Sequence, residues 1–314
     1  MNENESSPEY WINMAFTLQH QGKPDKAQKY YEEALKIDPH NVAALINLGT
    51  ILSQLGKTDE AIKYLELATQ TSPDIFEGWM NLGVVHEKMN NLDKAMNCYN
   101  IAKDLKPEDA RIWHNIGFIL KRENRLKEAI VYYDESLRLR PDNIEVLLSK
   151  GNAHLAMDDL EKAADSYDRI TKIDSDYLPG LVNKAVVLLR LHKYREAIQC
   201  YQQALLRSPN DIGLWQDKSY AHMSLQQYNE AEKCFDEILK TDPNHVNALD
   251  GKGVIEGFKG NLDRAIEFFD KALSINPRNS HVLRNKASAL EQLGDKASAN
   301  EYYNQANSLE LGYQ

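Results

Sequence analysis

The side chains with the clearest capacity for chemistry are asparagines that recur in register with a single long period of the sequence. They are Asn13, Asn47, Asn81, Asn115, Asn183 and Asn285. An asparagine amide both donates and accepts hydrogen bonds, which suits it to holding the backbone of an extended peptide. Asparagine is only a middling helix former, so helix propensity does not explain its recurrence. Two hypotheses follow: a ladder of peptide-binding amides, or a consensus residue without a binding role.

The histidines of the sequence do not indicate a metal site or a catalytic site. His86, His154 and His222 occupy equivalent positions of the same period, but far apart along the chain. A metal ion needs its ligands within a few ångströms of one another, so we interpret these rings as packing residues. The sequence also has no HExxH helix, no phosphate-binding glycine loop and no GxSxG turn. It therefore predicts a protein that is not an enzyme and that uses no cofactor or metal.

An alanine at every thirty-fourth residue sets the frame that positions these side chains. The series is Ala27, Ala61, Ala95, Ala129, Ala163, Ala197, Ala231, Ala265 and Ala299. It divides the chain into a polar tail, residues 1–7, and nine repeats, 8–41, 42–75, 76–109, 110–143, 144–177, 178–211, 212–245, 246–279 and 280–313. Tryptophan or leucine fills the fourth place and a small residue the eighth, so that a second helix can approach the first. Glycine or asparagine ends the first helix and a late proline ends the second. Each repeat is therefore predicted to be a helical hairpin.

This pattern, as in Trp79, Leu82, Gly83, Ala95 and Pro107, resembles the tetratricopeptide repeat over essentially the whole chain. The resemblance implies an all-α fold, a right-handed α-α superhelix of antiparallel helix pairs. The first helices would line a concave groove, and such grooves usually bind an extended peptide or a helix of a partner. Stability would come mainly from contacts between neighbouring repeats.

Helical spacing predicts which first-helix residues face that groove, and they include the fifth, sixth, ninth and thirteenth places. The predicted peptide-binding residues are Asn13, Asn47, Asn81, Asn115 and Asn183 at the sixth place, Ile12, Ile46, Met80 and His114 at the fifth, Phe16, Val84 and Phe118 at the ninth, and Lys88 and Arg122 at the thirteenth. The first six repeats thus present an apolar channel flanked by asparagines. The last three repeats are expected to be more polar.

Composition limits the class of partner and the compartment. The chain has 37 Lys and Arg against 47 Asp and Glu, a net charge of −10, which argues against general nucleic-acid binding. It has no apolar stretch long enough to span a membrane and no apolar signal core near its first residue. Cys98, Cys200 and Cys234 share one place of the second helix and are interpreted as reduced packing residues. These features predict a cytoplasmic protein without membrane insertion.

The function predicted from the sequence is a non-catalytic scaffold that binds a protein or peptide in its concave groove. One alternative is a structural homo-oligomer that associates through the ends of the repeat array. Another is the recognition arm of a glycosyltransferase-like complex, because a similar asparagine ladder holds substrate peptides in the repeat domain of O-GlcNAc transferase. The sequence contains no recognisable catalytic domain, so this alternative needs a partner subunit or a truncated chain.

Overall fold

The computed structural model describes residues 7–311, which form eighteen α-helices joined by short turns, with no strand among them. The chain divides into two compact units, Met1–Asp158 and Asp159–Gln314, named here the N-terminal and C-terminal units. The predicted tail at residues 1–7 lies outside the described residues except for Ser7, and so do residues 312 and 313 of the ninth repeat. Within residues 7–311, none of the helices has the length and apolar character needed to cross a membrane.

The N-terminal unit is a stack of helical hairpins. Its helices are α1 (Pro8–His20), α2 (Pro24–Ile37), α3 (Val42–Gln54), α4 (Thr58–Thr71), α5 (Phe76–Lys88), α6 (Leu92–Leu105), α7 (Ala110–Arg122), α8 (Leu126–Leu139) and α9 (Ile144–Ala156). The two helices of each hairpin pack on each other, from α1 with α2 to α7 with α8. Each second helix also packs on the first helix of the next repeat, from α2 on α3 to α8 on α9.

The C-terminal unit repeats the same order of contacts. Its helices are α10 (Leu160–Ile173), α11 (Leu178–Arg190), α12 (Tyr194–Arg207), α13 (Ile212–Ser224), α14 (Tyr228–Thr241), α15 (Val246–Phe258), α16 (Leu262–Ile275), α17 (Ser280–Leu293) and α18 (Lys296–Leu311). The hairpins run from α11 with α12 to α17 with α18, and second helices pack on the following first helices from α10 on α11 to α16 on α17. The predicted helical hairpins are therefore confirmed in both units.

Small residues set how closely the helices of a hairpin approach. The periodic alanine is buried in all nine repeats. At the eighth place, a Cβ added to Gly83 would lie 2.5 Å from Cε1 of Tyr99, which is closer than real Cβ contacts come. Glycine at this place therefore leaves room for a tyrosine ring between α5 and α6. The close approach predicted from the small eighth-place residue is confirmed.

The first helices end at a residue with left-handed backbone. Gly22, Gly56, Gly260 and Gly294 have φ between 70° and 91°, and Asn90 and Asn124 have φ near 60°, as the capping pattern predicts. Asp158, His192 and Gln226 adopt the same conformation, with φ of 57° to 60°. These three residues were not predicted as caps, since glycine, and less often asparagine, is the usual residue at this position of a helix end.

Tryptophan at the fourth place contacts the proline that ends the preceding repeat. The indole Nε1 of Trp79 donates to the carbonyl oxygen of Pro73 at 2.8 Å, and Trp113 donates to that of Pro107 at 2.7 Å. Trp215 makes the same bond to the Pro209 carbonyl at 2.8 Å. The late proline thus ends one helix and its carbonyl is bonded by the first helix of the next repeat.

Lysine at the seventh place forms ion pairs that the sequence did not predict. Each pair joins a lysine of a first helix to an aspartate on the second helix of the preceding repeat: Lys150–Asp134, Lys184–Asp168, Lys252–Asp236 and Lys286–Asp270. In repeats two to four, this place holds buried Leu48, Leu82 and Ile116 instead. Neighbouring repeats are therefore joined by apolar contacts in one part of the chain and by lysine–aspartate pairs in the other.

Candidate peptide-binding surface

The surface that the sequence predicts for binding is formed by the odd-numbered helices, and we call it the first-helix face. In the N-terminal unit α3 contacts α5 and α7 contacts α9, so consecutive first helices lie side by side. On this face Asn13, Lys88 and Arg122 are exposed and Phe16 is 53% exposed. The half-buried predicted residues are Ile12, Ile46, Asn47, Asn81, Val84, His114, Asn115 and Phe118. Met80 is only 6% exposed, so it offers little surface to a ligand.

A cavity of about 150 Å³ opens between α3 and α5. It is lined by Thr50, Ser53, Gln54, Asn81, Val84 and Lys88, together with Val85. Asn81 Nδ2 donates to Thr50 Oγ1 at 3.0 Å, and Lys88 Nζ donates to Ser53 Oγ at 3.1 Å. Three predicted binding residues, Asn81, Val84 and Lys88, therefore meet at one cavity that joins the second and third repeats.

The face continues on α7 with an aromatic ring beside a cation. The Arg122 guanidinium lies 6.0 Å from the centre of the Phe118 ring and donates to Asn90 Oδ1 at 2.5 Å. His114 Nε2 lies 3.3 Å from Ser149 Oγ. Burial lowers the pKa of His114, so at neutral pH the charges on this part of the face belong to arginine and lysine rather than to histidine.

The asparagines of the sixth place do not all have the same surroundings. Asn81 bonds to Thr50, whereas Asn115 lies beside the Tyr99 hydroxyl. That hydroxyl donates to Glu87 at 2.9 Å, and burial raises the pKa of Glu87. Asn183 is half-buried on α11 of the C-terminal unit. The amide of Asn81 therefore already has a partner within the protein, and its carbonyl oxygen and second N–H are further hydrogen-bonding groups.

Ser53 and Gln54 line the cavity but were not predicted as binding residues. They occupy the twelfth and thirteenth places of the second repeat, on the same helical stripe as Thr50. Helical spacing predicts that both places face the groove, but the residues named for binding at the thirteenth place were chosen for their positive charge.

The histidines and cysteines are packing residues. His86, His154 and His222 are buried, each on the first helix of a different repeat. Cys98, Cys200 and Cys234 are buried and form no disulfide. In the part of the chain that the structure describes, no three histidine, cysteine or acidic side chains are grouped so that they could hold a metal ion.

The first-helix face of the C-terminal unit is partly polar and partly aromatic. Asp217 and Asp250 stand at the sixth and fifth places, in keeping with the expected polar character. However, Tyr220 and Phe258 are 58% and 63% exposed. A cavity of about 400 Å³ also opens between α15 and α17, lined in part by Val254, Phe258, Leu262, Ser288 and Gln292. Exposed aromatic side chains at the ninth place of repeat seven and the thirteenth place of repeat eight therefore interrupt the polar face.

Models of the tetratricopeptide repeat match the chain almost from end to end. The matched residues are 7–74, 76–109, 110–143, 144–177, 188–252, 246–279 and 281–312. The chain belongs to the tetratricopeptide-repeat family. The eighteen helices within residues 7–311 follow the paired order of such a repeat, a fold typical of protein–protein interaction scaffolds.

Solved tetratricopeptide-repeat structures have the same fold at low sequence identity. YrrB, described as having an unusual peptide-binding site, aligns with a TM-score of 0.55 and 24% identity, over 60% of this chain and 97% of its own. PilF of Pseudomonas aeruginosa aligns with a TM-score of 0.59 and 18% identity, over 66% and 94%. The C-terminal part of a repeat protein from Cytophaga hutchinsonii gives a TM-score of 0.66 and 17% identity, over 76% and 98%. No curated protein matches the chain.

Proposed function

We propose that the first-helix face of repeats two to four binds an extended segment of a partner protein, without catalysis. The observation that supports this is the cavity between α3 and α5, where an amide, an apolar side chain and an ammonium group meet at Asn81, Val84 and Lys88. Tetratricopeptide-repeat solenoids typically act as interaction scaffolds. Residues 8–313 would then form one continuous array that presents this face.

Each group on the face has a role in holding an extended chain. The amides of Asn81 and Asn115 can bond to peptide N–H and C=O groups, which are the same in every sequence. Val84 and Phe118 offer apolar surface to side chains, because partly exposed apolar groups on a concave face favour a partner. Lys88 and Arg122 would favour an acidic residue or a terminal carboxylate through charge-assisted hydrogen bonds.

A pair of charge-changing variants tests the location. Val84→Glu combined with Lys88→Glu should abolish capture of the partner, since it places two carboxylates in the cavity. Lys127→Glu combined with Val131→Glu makes the same two changes, at the same spacing, on α8, a second helix where Val131 is exposed. Affinity capture with mass spectrometry should recover the same partner with the wild type and the α8 control. Recovery by the α5 variant as well, confirmed with a synthetic peptide of that partner, would refute the proposed surface.

The asparagine ladder needs its own test. Replacing Asn47, Asn81 and Asn115 with alanine should weaken binding of that peptide, whereas a pure consensus role predicts loss of stability with unchanged affinity. Because Asn81 also has a partner within the protein, thermal unfolding of the triple variant must be measured beside the dissociation constant. Unchanged affinity in the folded triple variant would leave the asparagines as consensus residues only.

Self-association is a second candidate, and one observation favours it. Met14, at the seventh place of the first repeat, is 38% exposed, whereas its counterparts Leu48 and Ile116 are buried. On α18, by contrast, the outward side chains Asn300, Asn304 and Gln305 are polar and exposed. Light scattering at several concentrations separates the two functions. A constant mass of 35.9 kDa would exclude the oligomer, and a mass that rises with concentration would support it.

A further inference from the structure

Two exposed aromatic rings on the C-terminal unit are held in place by tyrosines. Tyr220 lies on α13 and contacts Tyr194 edge-on, with ring centroids 6.4 Å apart. Phe258 ends α15 and stacks on Tyr228 at 5.1 Å, with the ring planes 14° apart. Aromatic pairs at these separations and angles are favourable arrangements. Each ring therefore has a tyrosine neighbour and is still more than half exposed to solvent.

A carboxylate without a cation stands on the same helix stripe as Tyr220. Asp217 precedes Tyr220 by three residues on α13, a spacing that places two side chains on one face. It is half-buried and accepts a hydrogen bond from the Tyr201 hydroxyl at 3.1 Å. No lysine, arginine or histidine among the described residues forms an ion pair with it. Burial raises the pKa of Asp217, which is the expected effect on a carboxylate removed from water without a counter-charge.

Several lysines of repeats eight and nine, and Arg284, are already engaged in ion pairs. Their partners are Asp236 and Glu232 for Lys252, Glu232 and Glu256 for Lys259, Glu310 for Arg284, and Asp270 for Lys286. Lys218 lies over the Trp215 ring at 4.9 Å. The other carboxylate of this face, Asp250, is buried and bonded to His281 at 3.0 Å and to Asn285 at 2.9 Å. Asp217 differs from Asp250, because its hydrogen-bond partner is a neutral hydroxyl and the carboxylate is only half-buried.

We infer that the first-helix face of repeats seven and eight binds an arginine side chain of an extended partner segment. The guanidinium would pair with the Asp217 carboxylate and lie against the exposed ring of Tyr220 or Phe258. Arginine fits better than lysine, because its planar group forms two parallel bonds to a carboxylate and stacks on aromatic rings. This surface is separate from the one proposed on repeats two to four and favours the opposite charge.

Two other kinds of occupant fit less well. An acidic segment would meet an unneutralised carboxylate and be repelled. A purely apolar or proline-rich segment would use the rings but leave Asp217 half-buried and unpaired. A cationic segment is the occupant that satisfies both the rings and the carboxylate.

The test compares labelled peptides that differ only in one side-chain type. A flexible glycine–serine peptide with two arginines, its lysine version and its citrulline version are titrated by fluorescence anisotropy at about 0.15 M salt. The arginine peptide should bind with a dissociation constant below about 1 mM, and the citrulline peptide about tenfold more weakly. Asp217→Asn should remove most of that difference. The double variant Tyr220→Ala and Phe258→Ala should raise the dissociation constant of the arginine peptide by about two- to fivefold.

A matched control separates this site from general attraction to an acidic protein. Glu87 is also a half-buried carboxylate that accepts a tyrosine hydroxyl, but it lies in the N-terminal unit. Glu87→Gln should leave arginine-peptide binding unchanged. Equal binding of the three peptides, no binding of the arginine peptide, or equal losses in Asp217→Asn and Glu87→Gln would each overturn the inference. None of these outcomes bears on the Val84 and Lys88 variants, so the two proposals can fail independently.

Discussion

At the sixth place of the first helix, two side chains of the proposed binding face also meet the hydroxyl of a buried tyrosine. Asn115 lies beside the Tyr99 hydroxyl, and Asp217 accepts the hydroxyl proton of Tyr201. A buried hydroxyl without a partner would be costly. At these two positions a polar sixth-place residue therefore has a structural reason that is compatible with a binding role. The sequence showed the recurrence, but the partner belongs to the second helix of the preceding repeat and could not be inferred from spacing alone.

We expect Asp217→Asn to stabilise the protein at neutral pH. Burial raises the pKa of Asp217 in the folded state above its unfolded value, so the native state favours the protonated form and the charged form weakens folding above that pKa. Removing the charge should raise the free energy of unfolding by less than about 1 kcal/mol at pH 7. The gain should disappear as the pH falls below about 4, where the unfolded aspartate is also protonated. Urea unfolding at both pH values measures it.

Asp168→Asn is a control variant for which we expect the opposite change, a decrease in the free energy of unfolding at pH 7. Hydrogen bonds from Lys172 and then Lys184 lower the pKa of Asp168 in the folded protein. Its charge therefore supports folding at neutral pH, and the variant should lose stability at pH 7 but not at low pH. If both variants change the free energy of unfolding in the same direction, the charge-based explanation for Asp217 is wrong.

At the scale of the helix, glycine is expected to stabilise the fold at one position of α15 and to destabilise it at another. Gly253 and Gly257 both lie within α15. A Cβ on Gly253 would lie 2.5 Å from Cε1 of Phe269, whereas a Cβ on Gly257 would have no atom within 4 Å. The periodicity predicts a small eighth-place residue such as Gly253. It does not explain Gly257, for which nothing in the packing of α15 requires glycine.

Alanine at these two positions should therefore change stability in opposite directions. Gly253→Ala should cost about 1–3 kcal/mol, because the added methyl group must displace a packed ring. Gly257→Ala should raise the free energy of unfolding by about 1 kcal/mol, because alanine is the better helix former and finds open space. Denaturant unfolding of the two single variants tests both signs within one helix. A loss of stability in Gly257→Ala would contradict the open space beside it.

The turns between the helices of a hairpin offer a second contrast. Gln226 has φ of 57° at the place where four other repeats have glycine. Gln226→Gly should stabilise the protein by about 1 kcal/mol by removing the left-handed strain of a side chain with a Cβ. Gln202→Gly, at an exposed position inside α12, should instead destabilise by about 1 kcal/mol. Both variants replace glutamine with glycine, and thermal unfolding measures the change in stability of each. Equal changes in the two variants would contradict the prediction.

At the scale of the molecule, what could be predicted depended on how far apart the interacting residues lie. The recurring alanine and the small eighth-place residues act within one hairpin, so the period of the sequence was sufficient to predict the helices and their pairing. The aromatic contacts of the C-terminal unit are different. Tyr220 and Phe258 lie on first helices, but Tyr194 and Tyr228 begin second helices. Only the packing of hairpins brings these rings together, so reading first-helix places alone missed them.

Contacts between neighbouring repeats should make the effect of a core change local. Leu82 is buried on α5, and Leu82→Ala should cost about 2–5 kcal/mol. In an array stabilised by nearest-neighbour contacts, the lost protection should be concentrated in repeats two to four. Hydrogen exchange followed by mass spectrometry measures this repeat by repeat. Equal loss of protection in repeats seven to nine would show that the chain unfolds as one cooperative unit instead.

The three buried cysteines make such local opening measurable at residues that the protein already contains, with no engineered label. Burial raises the pKa of Cys98 and Cys234 to about 11, and it raises the pKa of Cys200 in the same direction. At neutral pH the closed protein therefore holds almost no thiolate, which is the form that reacts with electrophiles. A thiol reagent will modify each cysteine only while its helix is open. The modification rate at Cys98 reports on α6, and the rates at Cys200 and Cys234 report on α12 and α14.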